Sequence, residues 1–219
     1  MWSIDLLREN GTEIENECQF NNNENLGVIF SGFGYTYRNP LLYYSRNILF
    51  DHNIDYLGVD CKYYNDKYFM NLTDDEQDKY FEEDIKIIIN KLLEIERNYR
   101  KVILIGKSMG ATIIKKCLQN EQIRRKSSAI FITPGTDWEN IINVIKYINN
   151  NILVIGSFRD KFYNIKNLSE IYDRKNIYTC ELKEGDHSLE TNDTIKDIEQ
   201  LKKIMEEIKR FTNENIFGD

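Results

Sequence analysis

The sequence has only two prolines, Pro40 and Pro134, in 219 residues, and no repeat or Pro/Ser-rich stretch. No linker or domain boundary is visible, and the length suits one domain spanning residues 1–219. Histidine is equally scarce. Any histidine-dependent chemistry is confined to His52 and His187. The four cysteines, Cys18, Cys61, Cys117 and Cys180, contain no C-x-x-C pair. That argues against a dedicated zinc site, though not against carboxylate-only magnesium or calcium sites. Scattered single cysteines read as reduced thiols in a reducing, cytoplasmic compartment. No run approaches the ~18 apolar residues of a membrane span. The first ten residues, with Asp5, Arg8 and Glu9, do not read as a signal peptide. Positive charge is in deficit: 36 acidic against 29 basic side chains give a net charge of -7. Such a chain is a poor general binder of nucleic acid, because neutralising phosphates needs a basic surface.

The balance of 41% apolar and 30% charged residues is that of a folded globular chain. Short apolar runs alternate with longer amphipathic segments. Strands are predicted over 26–31, 55–61, 102–105, 129–133, 152–155 and 177–182, with one or two weaker leading strands, as a hairpin, in 4–20. The asparagine-rich stretch 21–25 reads as a surface turn. Asn39 followed by Pro40 predicts a helix start with Asn39 as cap, carrying Leu41, Leu42, Tyr44, Ile48 and Leu49 on one face. Thr73 and Glu76 form a capping-box pattern ahead of Phe81, Ile85, Ile88, Ile89, Leu92 and Ile95 at helical spacing. Further helices are predicted over 109–119, through Trp138, Ile141, Ile142, Ile145 and Ile148, and through Ile195, Ile198, Leu201, Met205 and Ile208. Strand–helix alternation with continuously apolar strands predicts an α/β fold: a three-layer α/β/α sandwich around a mostly parallel, doubly wound sheet. Functional residues are then expected at the carboxyl ends of strands.

Gly106-Lys107-Ser108-Met109-Gly110 is a G-x-S-x-G pattern placed between a strand and a helix. A serine on so tight a turn needs small residues two positions either side. Its hydroxyl is lifted above the sheet at a helix N-terminus, where the Met109 N–H can face a developing oxyanion. Two other readings fail on single residues. A phosphate-binding P-loop needs glycine at 101, which is Lys101, and a dinucleotide fingerprint at Gly32-Phe33-Gly34 needs glycine at 37, which is Tyr37. The turn Ser31-Gly32-Phe33-Gly34 instead suggests the second half of an oxyanion hole. Phe33 is the expected donor, with Gly34 as the fallback, and Gly32, Gly34 and Tyr35 are expected against substrate. A hydroxyl nucleophile needs a base. His187, in a loop between strand and helix, is the candidate, and His52 reads as a bystander in a solvated turn. Asp160, which follows the strand 152–155, is the candidate to orient His187. This gives the chain order Ser108, Asp160, His187. Asp137 is the alternative acid, read chiefly as the cap of the helix beginning at Trp138.

The elbow at 106–110, the turn at 31–34, the aspartate turn ending at Asp160 and the segment Gly185-Asp186-His187-Ser188-Leu189 together resemble the α/β-hydrolase superfamily. The last segment is similar to the histidine loop of small dienelactone-hydrolase-like and carboxylesterase-like members, and the resemblance covers nearly the whole chain. Only 17 residues separate Thr133 from Asn151, room for one helix and no cap domain. The chain departs from many relatives in having Ser31, not histidine, first in the oxyanion turn. Its serine also differs from the cysteine of dienelactone hydrolases proper. The resemblance implies hydrolysis of a small carboxylic ester or thioester through an acyl-enzyme on Ser108. His187 would act as base, Asp160 would orient it, and Phe33 and Met109 would hold the oxyanion, with no metal or cofactor. Tyr35, Tyr37, Phe158, Phe162 and Trp138 are candidates to line an acyl pocket. Acyl transfer by the same residues and a non-catalytic binding role are the alternatives. The expected partner is a small-molecule ester, not nucleic acid or membrane. Oligomeric state is not legible.

Overall fold

The computed structural model describes residues 1–163, 171 and 173–217. Seven strands form one sheet: β1 Glu15–Gln19, β2 Asn25–Phe30, β3 Asp55–Asp60, β4 Lys101–Lys107, β5 Ser127–Ile132, β6 Ile152–Ser157 and β7 Ile177–Leu182. Their order is β1-β3-β2-β4-β5-β6-β7. β1 is antiparallel to β3 and every other pairing is parallel. The expected leading hairpin reduces to β1 with the isolated antiparallel bridges Leu7–Glu13 and Trp2–Cys18 ahead of it.

The apolar strands look uniform in sequence, yet they sort by parity. Val28, Phe30, Leu104, Phe131 and Val154 pack on one face with α3 (Asp74–Ile95), α4 (Met109–Gln119) and α6 (Trp138–Ile145). Ile29, Ile103, Ile105, Ile132 and Leu153 pack on the other with α1 (Pro40–Asp51) and α7 (Thr194–Ile216). Side chains alternate across a strand, so a sheet covered on both faces needs apolar residues at both parities. The short helices α2 (Lys67–Met70) and α5 (Glu121–Arg124) complete the connections. Among the described residues there is no cap domain over the sheet, and no helix is long and apolar enough to cross a membrane.

Several local expectations are corrected. Asn39 precedes α1, but its side chain makes no cap bond; its Oδ1 accepts from the N–H and hydroxyl of Thr36, fixing the turn before the helix. α6 stops at Ile145, so Ile148 lies outside it. In α7 the buried positions are Ile204, Ile208, Phe211 and Ile216, whereas Ile195 and Ile198 are exposed. A hydrophobic period shows which face of a helix is apolar, not which turns find a partner. His52 is half-buried, with its ring 5.7 Å from that of Phe217, not solvated in an open turn. The capping box of α3 does form: Glu76 Oε2 accepts from the Thr73 N–H at 2.9 Å.

Candidate active site

β4 ends at Lys107, and Ser108 begins the turn into α4 with φ 54° and ψ -114°. A non-glycine residue with positive φ is strained, and such strain persists only where the surroundings enforce it. Two glycines do so. A Cβ on Gly106 would lie 2.6 Å from the Gly110 carbonyl oxygen, and a Cβ on Gly110 would lie 2.3 Å from that of Phe30. The tight crossing of β4, α4 and β2 therefore forces the turn that presents the Ser108 hydroxyl.

Ser108 Oγ is 2.8 Å from His187 Nε2, and His187 Nδ1 is 2.8 Å from Asp160 Oδ2. The three side chains come from the ends of β4, β6 and β7, brought together by a sheet in which β4, β5, β6 and β7 are successive neighbours. The histidine loop is shaped by Asp186, whose Oδ1 accepts the Ser188 and Glu190 N–H groups. It is anchored where the Thr133 hydroxyl donates to the His187 carbonyl at 3.1 Å. Phe162 meets the His187 ring edge-on, with centroids 4.9 Å apart.

Asp160 is buried, and its Oδ1 accepts the Phe162 N–H at 2.9 Å. Burial by itself would raise this carboxyl. The hydrogen bonds from His187 and the Phe162 N–H, with the charge of Lys107, outweigh burial and hold it below the ordinary carboxylate range. Arg159 and Lys161 therefore do not make Asp160 a surface ion pair. Lys107 was not singled out from sequence. Its position shares the parity of Ile103 and Ile105, which sends it to the face opposite α4, where it is fully buried with Nζ 5.3 Å from the centroid of the Tyr35 ring. Burial lowers its pKa to about 8, with Asp160 and Asp186 acting in the opposite direction.

Ser108 and His187 open into a cleft of about 800 Å³ that also has Phe33, Met109, Thr112 and Phe162 in its walls. Among the described residues, nothing accepts the backbone N–H of Phe33 or Met109. At Met109 the reason is positional, since the first N–H groups of a helix have no partner within it. The neighbouring glycines serve differently from expectation. The Gly32 N–H donates to the Tyr35 carbonyl, and its missing side chain lets the turn pass Ser108, where a Cβ would lie 3.3 Å from that of Ser108. Gly34 has open space about it, and neither glycine lines the cleft. Tyr35 is also corrected. Its hydroxyl accepts the Leu41 N–H, and its ring lines a separate cavity of about 240 Å³ beside α1 and α7. Tyr37 is buried and bonded to Glu15, Trp138 packs on Tyr163 in the core, and Phe158 lies outside the cleft. Of the five aromatic candidates only Phe162 reaches it. Ser31, at the position where many relatives carry histidine, is buried and donates its hydroxyl to the Val59 carbonyl, bracing the turn.

Asp137 takes the N-cap position of α6, but its side chain makes no cap bond to the helix backbone. It lies far from His187's Nδ1 in role: that nitrogen is taken by Asp160, and Asp137 pairs with Lys115 at 2.6 Å. A larger depression of about 950 Å³ lies at the amino ends of β4 and β5. Its basic groups are engaged structurally, Arg124 on the Leu118 carbonyl and Lys126 on Glu96.

Residues 28–213 match the family described as alpha/beta hydrolase domain. The chain belongs to this family. No curated protein matches it in sequence. Among solved structures it is similar to ATU1826 of Agrobacterium tumefaciens, at 14% identity over 94% of this chain and 93% of that one, with a TM-score of 0.69. Est1E of Butyrivibrio proteoclasticus matches at 14% identity over 96% and 98%, with a TM-score of 0.66. The Pyrococcus furiosus esterase Pf2001 matches at 13% identity over 96% and 90%, also with a TM-score of 0.66. At such identities the likeness is one of fold. This alpha/beta hydrolase therefore has its activity argued from the site itself.

Proposed function

We propose that this protein is a serine hydrolase that cleaves small carboxylic esters or thioesters through an acyl-enzyme on Ser108. The observation that carries the reading is the His187 ring held at both nitrogens, 2.8 Å from Ser108 Oγ and 2.8 Å from Asp160 Oδ2. Membership of the alpha/beta hydrolase family supports it, as does the likeness to a protein described as an esterase.

The chemistry follows from that arrangement. Ser108 Oγ attacks the substrate carbonyl while His187 Nε2 takes the hydroxyl proton. The Asp160 carboxylate fixes the tautomer with hydrogen on Nδ1 and stabilises the imidazolium that forms. Negative charge develops on the carbonyl oxygen, where the Phe33 and Met109 N–H groups are the candidate donors. Removing one such donor typically costs about 100- to 1,000-fold in rate. The tetrahedral adduct collapses as His187 returns its proton to the departing alcohol or thiol. Water then enters, gives a proton to His187 and releases the acid, regenerating Ser108. The four unpaired cysteines fit a cytoplasmic setting.

A fluorophosphonate probe together with a short acyl ester tests the reading. Wild type is expected to be labelled and to turn the ester over, and Ser108→Ala is expected to do neither. Labelling that survives Ser108→Ala, or ester turnover indifferent to His187→Gln, removes the assignment.

A further inference from the structure

Asp137 stands where a capping aspartate would normally accept backbone N–H groups of its helix, yet its side chain accepts none from α6. The carboxylate turns to Lys115, Oδ2 to Nζ 2.6 Å, while Oδ1 accepts Nδ2–H of Asn140 at 2.8 Å. The two charged side chains are only 10% and 18% exposed. Withdrawing an ammonium and a carboxylate from water is costly, and well-packed apolar residues often do as well or better for stability. A forgone cap and a partly buried ion pair are therefore poorly explained as stabilising devices. Their location suggests another use, because Lys115, Asp137 and Asn140 all line the cleft that contains Ser108.

Met109, Thr112 and Lys115 recur every third residue along α4 and form one wall of the cleft. Lys115 is six residues beyond Met109, about 9 Å along the axis at the rise of an α-helix. Its side chain leans back toward the helix N-terminus, as helical side chains do. Across from it, α3 presents Asp78 and Glu82, the latter paired with Lys116 at 2.8 Å. Phe81 of α3 also lines the cleft, so a substrate chain running along α4 from Ser108 passes apolar surface and then meets the Lys115–Asp137 ion pair.

We propose that the Lys115–Asp137 pair is a specificity element of this cleft. It admits ester substrates whose group along α4 is short or ends in a neutral hydrogen-bonding function, and it excludes long aliphatic chains. A neutral amide or hydroxyl end can donate to Asp137 and accept from Lys115. A methyl end offers neither, and leaves the ions desolvated without compensation. The inference rests on the proposed Ser108 hydrolase reading.

The test compares wild type with the double variant Lys115→Met/Asp137→Leu, which removes both charges at similar volume. Either single change would strand a partly buried charge and endanger the fold. Two series are assayed, acyl esters of p-nitrophenol and alkyl acetates, each with four- and eight-carbon chains, since the group lying along α4 can be on either side of the ester. In one series wild type is expected to favour the four-carbon chain. In the double variant the eight-to-four ratio of kcat/KM is expected to rise at least tenfold, against a ceiling of about fourfold per buried methylene. An isosteric chain ending in a primary amide is expected to lose its advantage over the alkyl chain in the double variant. A ratio unchanged in both series, or a wild type that already prefers eight carbons, overturns the inference while leaving the hydrolase reading intact. Absence of Ser108-dependent turnover with every ester overturns that reading and the inference with it.

Discussion

A Cβ on Gly110 would lie 2.3 Å from the carbonyl oxygen of Phe30, closer than any side chain can approach backbone. The obstacle is main chain on both sides, α4 against the end of β2, so no rotamer change relieves it. Gly110→Ala is expected to lower stability by at least about 1–3 kcal/mol, the usual cost of overpacking, and to abolish Ser108 labelling in whatever folds. Urea unfolding followed by probe labelling checks both. An alanine variant with wild-type stability would mean that the crossing is looser than the geometry requires.

The Asp160–His187 contact gives a prediction on rate and one on pH. Asp160→Asn keeps the shape but favours the wrong histidine tautomer, so kcat is expected to fall by about 10⁴-fold with KM little changed. The carboxyl is held below its ordinary range in the folded state. Such a group contributes stability that is present above the unfolded pKa and is lost as pH falls through the folded one. The stability difference between wild type and Asp160→Asn should therefore be full at pH 7 and shrink through the acid range below about pH 4. Urea midpoints measured from pH 7 to 3 decide it.

Lys107 behaves in the opposite sense. Burial depresses its pKa to about 8 in the fold, whereas an unfolded lysine titrates near ~10.4. Below the folded value both states are protonated and the buried ammonium carries its full desolvation cost. Between the two values the unfolded state binds more protons, so this contribution to stability rises with pH. Lys107→Met is expected to raise the urea midpoint at pH 7, by a margin that narrows from pH 8 toward pH 10.4. A margin independent of pH would show that the substitution acts through packing alone.

Tyr35 separates support from substrate contact. Its hydroxyl accepts the Leu41 N–H at 3.0 Å, in the first turn of α1 and outside the cleft. Tyr35→Phe should cost about 1 kcal/mol, the usual contribution of one hydrogen bond, and leave KM for a short ester unchanged. A several-fold rise in KM with unaltered stability would return Tyr35 to the substrate site.

Much of the fold was legible because its signals are local. The Val102–Ile105 run, the glycine-flanked serine and the helix from Met109 each follow from sterics within ten residues, so their positions could be read directly. The chain order of the candidates Ser108, Asp160 and His187 was legible too, because each follows a strand of a parallel sheet whose carboxyl ends share one edge. What was not legible was which neighbour several other side chains would find. Asn39 and Asp137 both occupy the cap positions their sequences suggest, yet Thr36 and Lys115 take their side chains instead. Tyr35 is two residues from Phe33, yet the turn sends one to the cleft and the other to the opposite layer.

The amino-acid sequence by itself determined the layered α/β architecture and the candidate residues for the proposed hydrolysis. Its apolar periods and its tight, glycine-flanked serine turn are properties of short stretches of chain. Only the tertiary structure decided that His187 stands between Ser108 and Asp160, that Lys107 is buried across the sheet from the cleft, and that paired ions line the far wall. Those outcomes depend on distances between residues tens of positions apart, fixed by strand order and by which side of the sheet each side chain leaves.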